Sequence, residues 1–465
     1  MEGATMHSER NLRILLIACC SGVFIMPLMS TMMNLAIPTI EGEFHVGSHS
    51  SAMINTTFLL ASVIAMVPIA KLSDIYGRRP IFYFGLVLTL VSSILATVIP
   101  SFDILLVLRF AMGVGSAAIS MSSIVLLTDM FPAHRRGWAI GWHTTFVYLA
   151  VAFGPTLSGV LIQLFGWRSL FLLIIPICMV SLLFLFQFKG DVVSAPNDRM
   201  DVSGAIFYGV AISILMYGVI SLPEPYAIVM VAAGLALMVL FIRSMRSKEA
   251  PVLDVGVFKY RVFLKTCIAT FMNYGSSYSI SFFMSLYLQG IGALTPLEAG
   301  LMMLIQPVFQ IVLTIRCGRL SDTIENKRLL PTLGMAITAV AVLMIVLLGT
   351  EVNYYYIAAI FSILGIGYGI FSAPNTSALM SSVPPRNRGE ASGMATLVRQ
   401  TGMMFSMGIA MCCISIFMGS LDNLNPDTFD MFIQVIRASF IICFIMCVIG
   451  VYASWTATDE KGRPE

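Results

Sequence analysis

The chain has 465 residues, 58% of them hydrophobic and 11% charged, with a formal net charge of +3. A soluble globular domain carries roughly a quarter charged residues, so a mean hydropathy of +0.90 excludes that class. The apolar residues fall in blocks of about 20, the length of a helix that spans a hydrocarbon core. They do not show the ten-residue alternation of a closed β-barrel.

Fourteen such blocks follow one another, at about 12–38, 49–70, 80–99, 103–128, 138–163, 168–187, 203–222, 225–243, 263–289, 297–317, 330–349, 353–377, 390–417 and 432–454. The first follows Arg10 and Arg13 and runs to Pro38 without a small-residue cleavage site, which predicts an uncleaved helix. No gap holds a soluble domain, and the segment from Arg243 to Phe263 is a basic connector. Lys71, Arg78, Arg79, Arg135, Arg136, Arg243, Arg246, Arg319, Arg386 and Arg388 fall in one set of alternate loops. The opposite set has Arg168 with Glu41, Glu43, Asp103, Glu298 and Glu351. We call these the basic and the acidic face. The basic face is expected to be cytoplasmic and to carry both termini. Nine cysteines lie in or beside apolar blocks without metal-ligand spacing and read as buried thiols.

A charged loop, Ala70-Lys71-Leu72-Ser73-Asp74-Ile75-Tyr76-Gly77-Arg78-Arg79-Pro80, joins the second and third blocks. It returns as Gly318-Arg319-Leu320-Ser321-Asp322-Thr323-Ile324, 248 residues on. At an offset of 252, Gly113-Val114-Gly115 pairs with Gly365-Ile366-Gly367 and Gly141 with Gly393. The ordered landmarks predict two parallel six-helix repeats, 1–190 and 262–465, with helices 7 and 8 and the basic connector inserted at 191–261.

These motifs resemble the major facilitator superfamily, and specifically its fourteen-helix drug:proton antiporter branch. The loop at Ala70 to Arg79 is similar to the family signature G-x-L-a-D-r-x-G-r-k, and Arg109 to Gly115 to its fourth-helix motif R-x-x-q-G-x-g. Gly154-Pro155-Thr156-Leu157-Ser158-Gly159 looks like the fifth-helix antiporter motif, a helix-bending element built on Gly154, Pro155 and Gly159. Leu28 to Pro38 resembles L-D-x-T-I-V-N-V-A-L-P, but Met29 stands where that signature has Asp. The resemblance implies an all-α polytopic membrane protein of major facilitator fold, and a secondary active transporter that works by alternating access. It implies export of small amphipathic compounds, drug-like or toxic, by proton-coupled antiport. The missing acid at Met29 turns the expected cargo from cations towards neutral or anionic amphiphiles.

Asp74, Gly77, Arg78 and Asp129 are expected to form a latch on the basic face, with Asp322 as its weaker second copy. Ser381 stands where Asp129 would recur. Arg399 lies near mid-membrane with no Asp or Glu at its depth, so it either faces a cavity or anchors hydrogen bonds. Arg109 has the same choice, or snorkels to the acidic face. His143 titrates near neutral pH and is a candidate proton site or an interfacial histidine. Asn34, Asn55, Asn273, Tyr274, Tyr278, Gln306, Gln310, Asn375 and Gln400 are either cavity groups or interhelical hydrogen bonds. No G-x-x-x-x-G-K-[ST], no H-E-x-x-H and no paired intramembrane aspartates occur, so the chain reads as no enzyme. No cofactor, metal or nucleic acid is expected; the partners are a small-molecule substrate, protons and the lipid bilayer of the cell membrane, around a monomer. The alternatives are uptake or facilitated transport of one metabolite, or a non-transporting membrane sensor.

Overall fold

The computed structural model describes residues 9–457 apart from 192, 194–199, 223, 247, 249–251, 253–254, 325, 327, 385–387 and 420–425. Fourteen long helices account for most of them: α1 (Glu9–Phe44), α2 (Ser48–Tyr76), α3 (Arg78–Ala96), α4 (Phe102–Met130), α5 (Ala133–Phe165), α6 (Ser169–Gln187) and α7 (Val202–Ile220). The rest are α8 (Pro225–Arg246), α9 (Arg261–Leu286), α10 (Pro296–Thr323), α11 (Leu329–Val346), α12 (Tyr354–Ser381), α13 (Arg388–Phe417) and α14 (Phe429–Trp455). In lipid every backbone N–H and C=O must be paired within the protein, which leaves helices as the way to span. Thirteen of the fourteen are long and apolar enough to cross a membrane; α9, with five Ser, two Tyr and one Asn, is the exception. Three helices that start on the acidic face, α4, α10 and α12, carry side-chain caps. Ser101 accepts the Ile104 N–H, Thr295 and Glu298 form a capping box, and Asn353 accepts from Tyr355 and Tyr356.

The two six-helix sets are packed alike. α2 lies on α4 as α10 lies on α12, α1 on α5 as α9 on α13, and α3 on α4 as α11 on α12. The repeated glycines explain the match. A Cβ on Gly113 would stand 2.3 Å from the Phe58 carbonyl oxygen of α2, and one on Gly365 would stand 2.3 Å from that of Gln306 on α10. Gly115 meets the Thr89 hydroxyl at 2.4 Å where Gly367 meets that of Thr338 at 2.5 Å. Only hydrogen fits at these crossings, so each pair of helices is held at backbone contact.

Between the sets, α5 runs against α10 and α2 against α13. A tight α5–α10 approach lies towards the acidic face, where Cβ atoms on Gly159 and Gly300 would each lie 2.6 Å from a carbonyl oxygen, of Pro296 and Pro155 respectively. Gly141 and Gly393, near the basic ends of α5 and α13, face open space instead. The bend expected at Gly154-Pro155-Gly159 is thus a docking point for α10, while Gly141 makes no close contact. α7 covers the α2–α13 seam, with the Tyr208 hydroxyl donating to the Val63 carbonyl at 3.0 Å and Val219 against Gly408. α8 packs on α7, with Gly234 against Leu215.

Candidate functional site

At the basic face, Gly77 ends α2 and begins α3 with φ +101° and ψ 154°. Such a conformation is essentially restricted to glycine. Arg78 turns back into the protein, is 7% exposed, and pairs with Asp74. Its Nε lies 3.6 Å from Asp129 Oδ2 at the end of α4. The three residues singled out in the sequence therefore meet. A fourth, Asp191 beyond α6, has no sequence signal because it lies 112 residues away. Its Oδ1 accepts the Arg79 N–H at 2.9 Å, capping α3, and its Oδ2 lies 2.2 Å from where a Gly77 Cβ would be. The second copy is built differently. Asn326 occupies the place equivalent to Arg78, and Arg328 stacks on Trp455, 4.7 Å from the ring centroid. The Asp322 side chain, and the α13 N-terminus near Gly389, lie outside the described side chains.

The second cluster lies between the two six-helix sets. Arg399 is eleven residues into α13, roughly 17 Å along the axis from its start. Its guanidinium lies 5.9 Å from the Tyr274 ring centroid on α9, a cation–π approach. No carboxylate is paired with it among the described residues. His143 and Tyr148 of α5 lie within electrostatic range of it. Tyr148 donates to Ser372 of α12 at 3.3 Å, and Ser372 shares a 3.4 Å hydrogen bond with Thr314 of α10. Sequence reasoning missed Tyr148, Ser372 and Thr314, since one hydroxyl on an apolar helix has no distinguishing signal. His143 is buried, with Nε2 3.0 Å from the Ser123 hydroxyl of α4, so it is no surface histidine. Gln400 Nε2 donates to the Met26 sulfur at 3.4 Å across the interface, while its Oε1 is buried without a partner.

The other candidates lie elsewhere. Asn34 accepts from Asn55 at 2.6 Å, Asn273 donates to the Met335 sulfur at 3.3 Å, and Asn375 donates to Thr270 at 2.8 Å. These are interhelical hydrogen bonds within one set, the plainer of their two readings. Gln306 meets α12 through its backbone. Arg109 is fully buried inside the first set, neither at the acidic face nor between the sets.

Several hydrogen bonds among the described residues cross between the sets at similar depth. They join Met26 to Gln400, Ser30 to Tyr278, Asn34 to Ser285, Thr56 to Met411 and Tyr148 to Ser372. All lie at mid-depth or towards the acidic face. The described geometry is thus closed on the acidic side, with a cationic, tyrosine-bearing cluster at its inner limit.

The sequence profile of the Major Facilitator Superfamily matches residues 19–407 and 266–465. The chain is 25% identical over 398 residues to the riboflavin transporter RibZ of Clostridioides difficile strain 630, covering 85% of this chain and 86% of RibZ. It is 27% identical over 411 residues to the multidrug resistance protein Stp of Mycobacterium tuberculosis strain CDC 1551 / Oshkosh, covering 86% of this chain and 75% of Stp. Among solved structures, a POT family transporter in complex with a thioalcohol-conjugated peptide superposes with a TM-score of 0.72 over 97% of each chain, at 14% identity. That last likeness is one of fold. Repeat packing, membrane-length helices and the profile agree: the chain belongs to the major facilitator superfamily and is a multi-pass membrane transporter rather than an enzyme.

Proposed function

We propose that the protein exports small neutral or anionic amphipathic compounds by alternating access, with proton antiport as the coupling. The sets 1–190 and 262–465 would rock about the Arg399 cluster, with α7 and α8 peripheral. The carrying observation is Arg399, a half-buried cation between the sets that has no carboxylate partner among the described residues. An isolated charge at this depth is costly unless something neutralises it. An anionic cargo would do so, with Tyr274 and Tyr148 offering aromatic faces. The latch of Asp74, Arg78 and Asp129 would hold the basic face shut in the opposite state, that face being cytoplasmic. His143, buried beside Ser123 and in the field of Arg399, is the group proposed to carry the proton.

The test is flux of an anionic dye into inside-out proteoliposomes, with and without an imposed pH gradient and with the membrane potential clamped. We expect gradient-driven flux in the wild type and at least a tenfold loss in Arg399→Ala, about 1.4 kcal/mol. Full flux by a correctly inserted Arg399→Ala would overturn the cargo reading; indifference to the gradient would overturn the coupling. A second reading, transport of one planar metabolite, is favoured by the converging tyrosines and by the riboflavin transporter among the relatives. Saturable riboflavin transport, with no flux of unrelated dyes, would select it.

A further inference from the structure

Away from the interface, α7 leaves an apolar groove of about 660 Å³ along the first set. Leu60, Ile64 and Pro68 of α2 form one wall and the stripe Val202–Ile206–Gly209–Ser213 of α7 the other, with Phe110 of α4 also lining it. Phe110, Val202, Ile206 and Val210 are exposed, so the groove opens to the bilayer. It exists because α7 touches α2 on one side only. Tyr208 donates to the Val63 carbonyl, but Gly209 beside it has no side chain. A Cβ there would meet only Ile64 Cγ2, at 3.7 Å.

The dimensions are those of one lipid chain. Val202 begins α7 at the basic face, and Ile214 at the groove's far end lies about 18 Å along the axis. Phe110 lies about 12 Å along α4 from its start on the acidic face. The two counts meet near the middle of a hydrocarbon core of about 30 Å, so the groove spans the leaflet on the basic side. Over that length its volume makes a channel about 7 Å across, too narrow for a partner helix of about 10 Å. An extended acyl chain fits it.

The mouth is cationic. Lys71 falls within about 20° of Leu60 around the α2 axis and one turn beyond Pro68, in line with the groove at headgroup level. At the α7 end of the mouth, Asp201 is already neutralised, with Lys248 Nζ 2.6 and 2.7 Å from its two oxygens. The excess charge of these three groups is positive, and a lysine at a membrane surface attracts anionic headgroups.

We propose that the groove binds one anionic phospholipid of the basic-side leaflet, phosphatidylglycerol in type, with an acyl chain along Gly209 and its phosphate by Lys71. The site is separate from the Arg399 cluster and does not depend on the cargo. Because α7 also rests on α13, with Val219 against Gly408, the lipid wedges the helix that covers the α2–α13 seam.

The test is native mass spectrometry of the purified full-length protein, stripped of lipid in detergent. It is titrated with phosphatidylglycerol or phosphatidylethanolamine of identical chains. We expect one saturable phosphatidylglycerol step, about tenfold tighter than any step for phosphatidylethanolamine. Gly209→Leu fills the groove from a Cβ that meets no backbone atom, and should weaken that step about tenfold. Lys71→Gln should bind both lipids alike, at the phosphatidylethanolamine level. A wild type with no single-lipid step, or with equal affinity for the two lipids, would overturn the proposal. So would undiminished binding by folded Gly209→Leu, or undiminished selectivity in Lys71→Gln.

Discussion

Replacing Gly77 by Ala tests how the proposed latch is built. At φ +101° and ψ 154° an L side chain is strained by about 1–3 kcal/mol. The added Cβ would also stand 2.2 Å from Asp191 Oδ2, so the carboxylate must leave the Arg79 N–H that it caps. Losing a cap of this kind costs about 1 kcal/mol. Gly77→Ala should therefore destabilise by about 2–4 kcal/mol, and Asp191→Ala alone by about 1 kcal/mol. In the double variant the cap is lost only once, so its cost should fall short of the summed singles by about 1 kcal/mol. Denaturant unfolding of the purified protein measures the cycle, and dye flux in vesicles measures whether the latch still works. Additive effects, with a coupling below about 0.3 kcal/mol, would mean that Asp191 does not rest on Gly77 and would refute the reasoning.

Gly113→Ala and Gly365→Ala should each cost about 1–3 kcal/mol by overpacking against a carbonyl oxygen, whereas Gly141→Ala and Gly393→Ala should cost nothing. Equal melting losses at all four sites would contradict the packing. Asp74→Asn should reduce turnover at least tenfold with normal membrane insertion, read by flux against protein level; unchanged flux would remove the latch. Asp201, the cap of α7, is opposed by burial, but Lys248, the Gly204 N–H and Ser203 outweigh this and hold its carboxyl below the usual range. A lowered native value adds stability above the unfolded pKa of about 3.9 that is lost as pH falls through the native value. Asp201→Asn keeps a cap but not the charge, so its melting deficit of about 1 kcal/mol at pH 7 should narrow below about pH 4. A deficit unchanged at pH 3 would refute it.

The helices and their pairing were legible because both rest on one-dimensional signals, block length and the recurrence of glycine and charge. The charged cluster around Arg78 was legible in part. Asp74 and Arg78 are four apart on a turn, but Asp191 reaches them only after six helices have packed. Arg109 shows the limit most plainly. Its depth can be counted from the helix end, but the direction of its side chain is fixed by which helices surround α4. The same holds for Asn34, Asn273 and Asn375, whose polarity marks them while their partners come from other helices. Tyr148 and Ser372 meet because α5 packs on α10 across the interface and α12 packs on α10, a fact with no local trace.

The polar character of α9 bears on how the protein is made. A segment whose residues include Lys265, Asn273, Tyr274, Tyr278 and several serines is a poor substrate for partitioning from the insertion machinery into lipid by itself. While Thr266, Thr270, Ser276 and Ser277 bond back to carbonyls of α9, other hydroxyls find partners on other helices: Tyr278 on Ser30 of α1, Ser285 on Asn34, and Ser279 on Ser406 of α13. Of these, α1 is synthesised long before α9 and α13 after it. The nascent first set is thus in a position to chaperone α9 into the bilayer, and the second set cannot be completed as an independent unit until α13 has followed. Assembly would then be sequential, with the future transport interface formed early and the second bundle closed around it last.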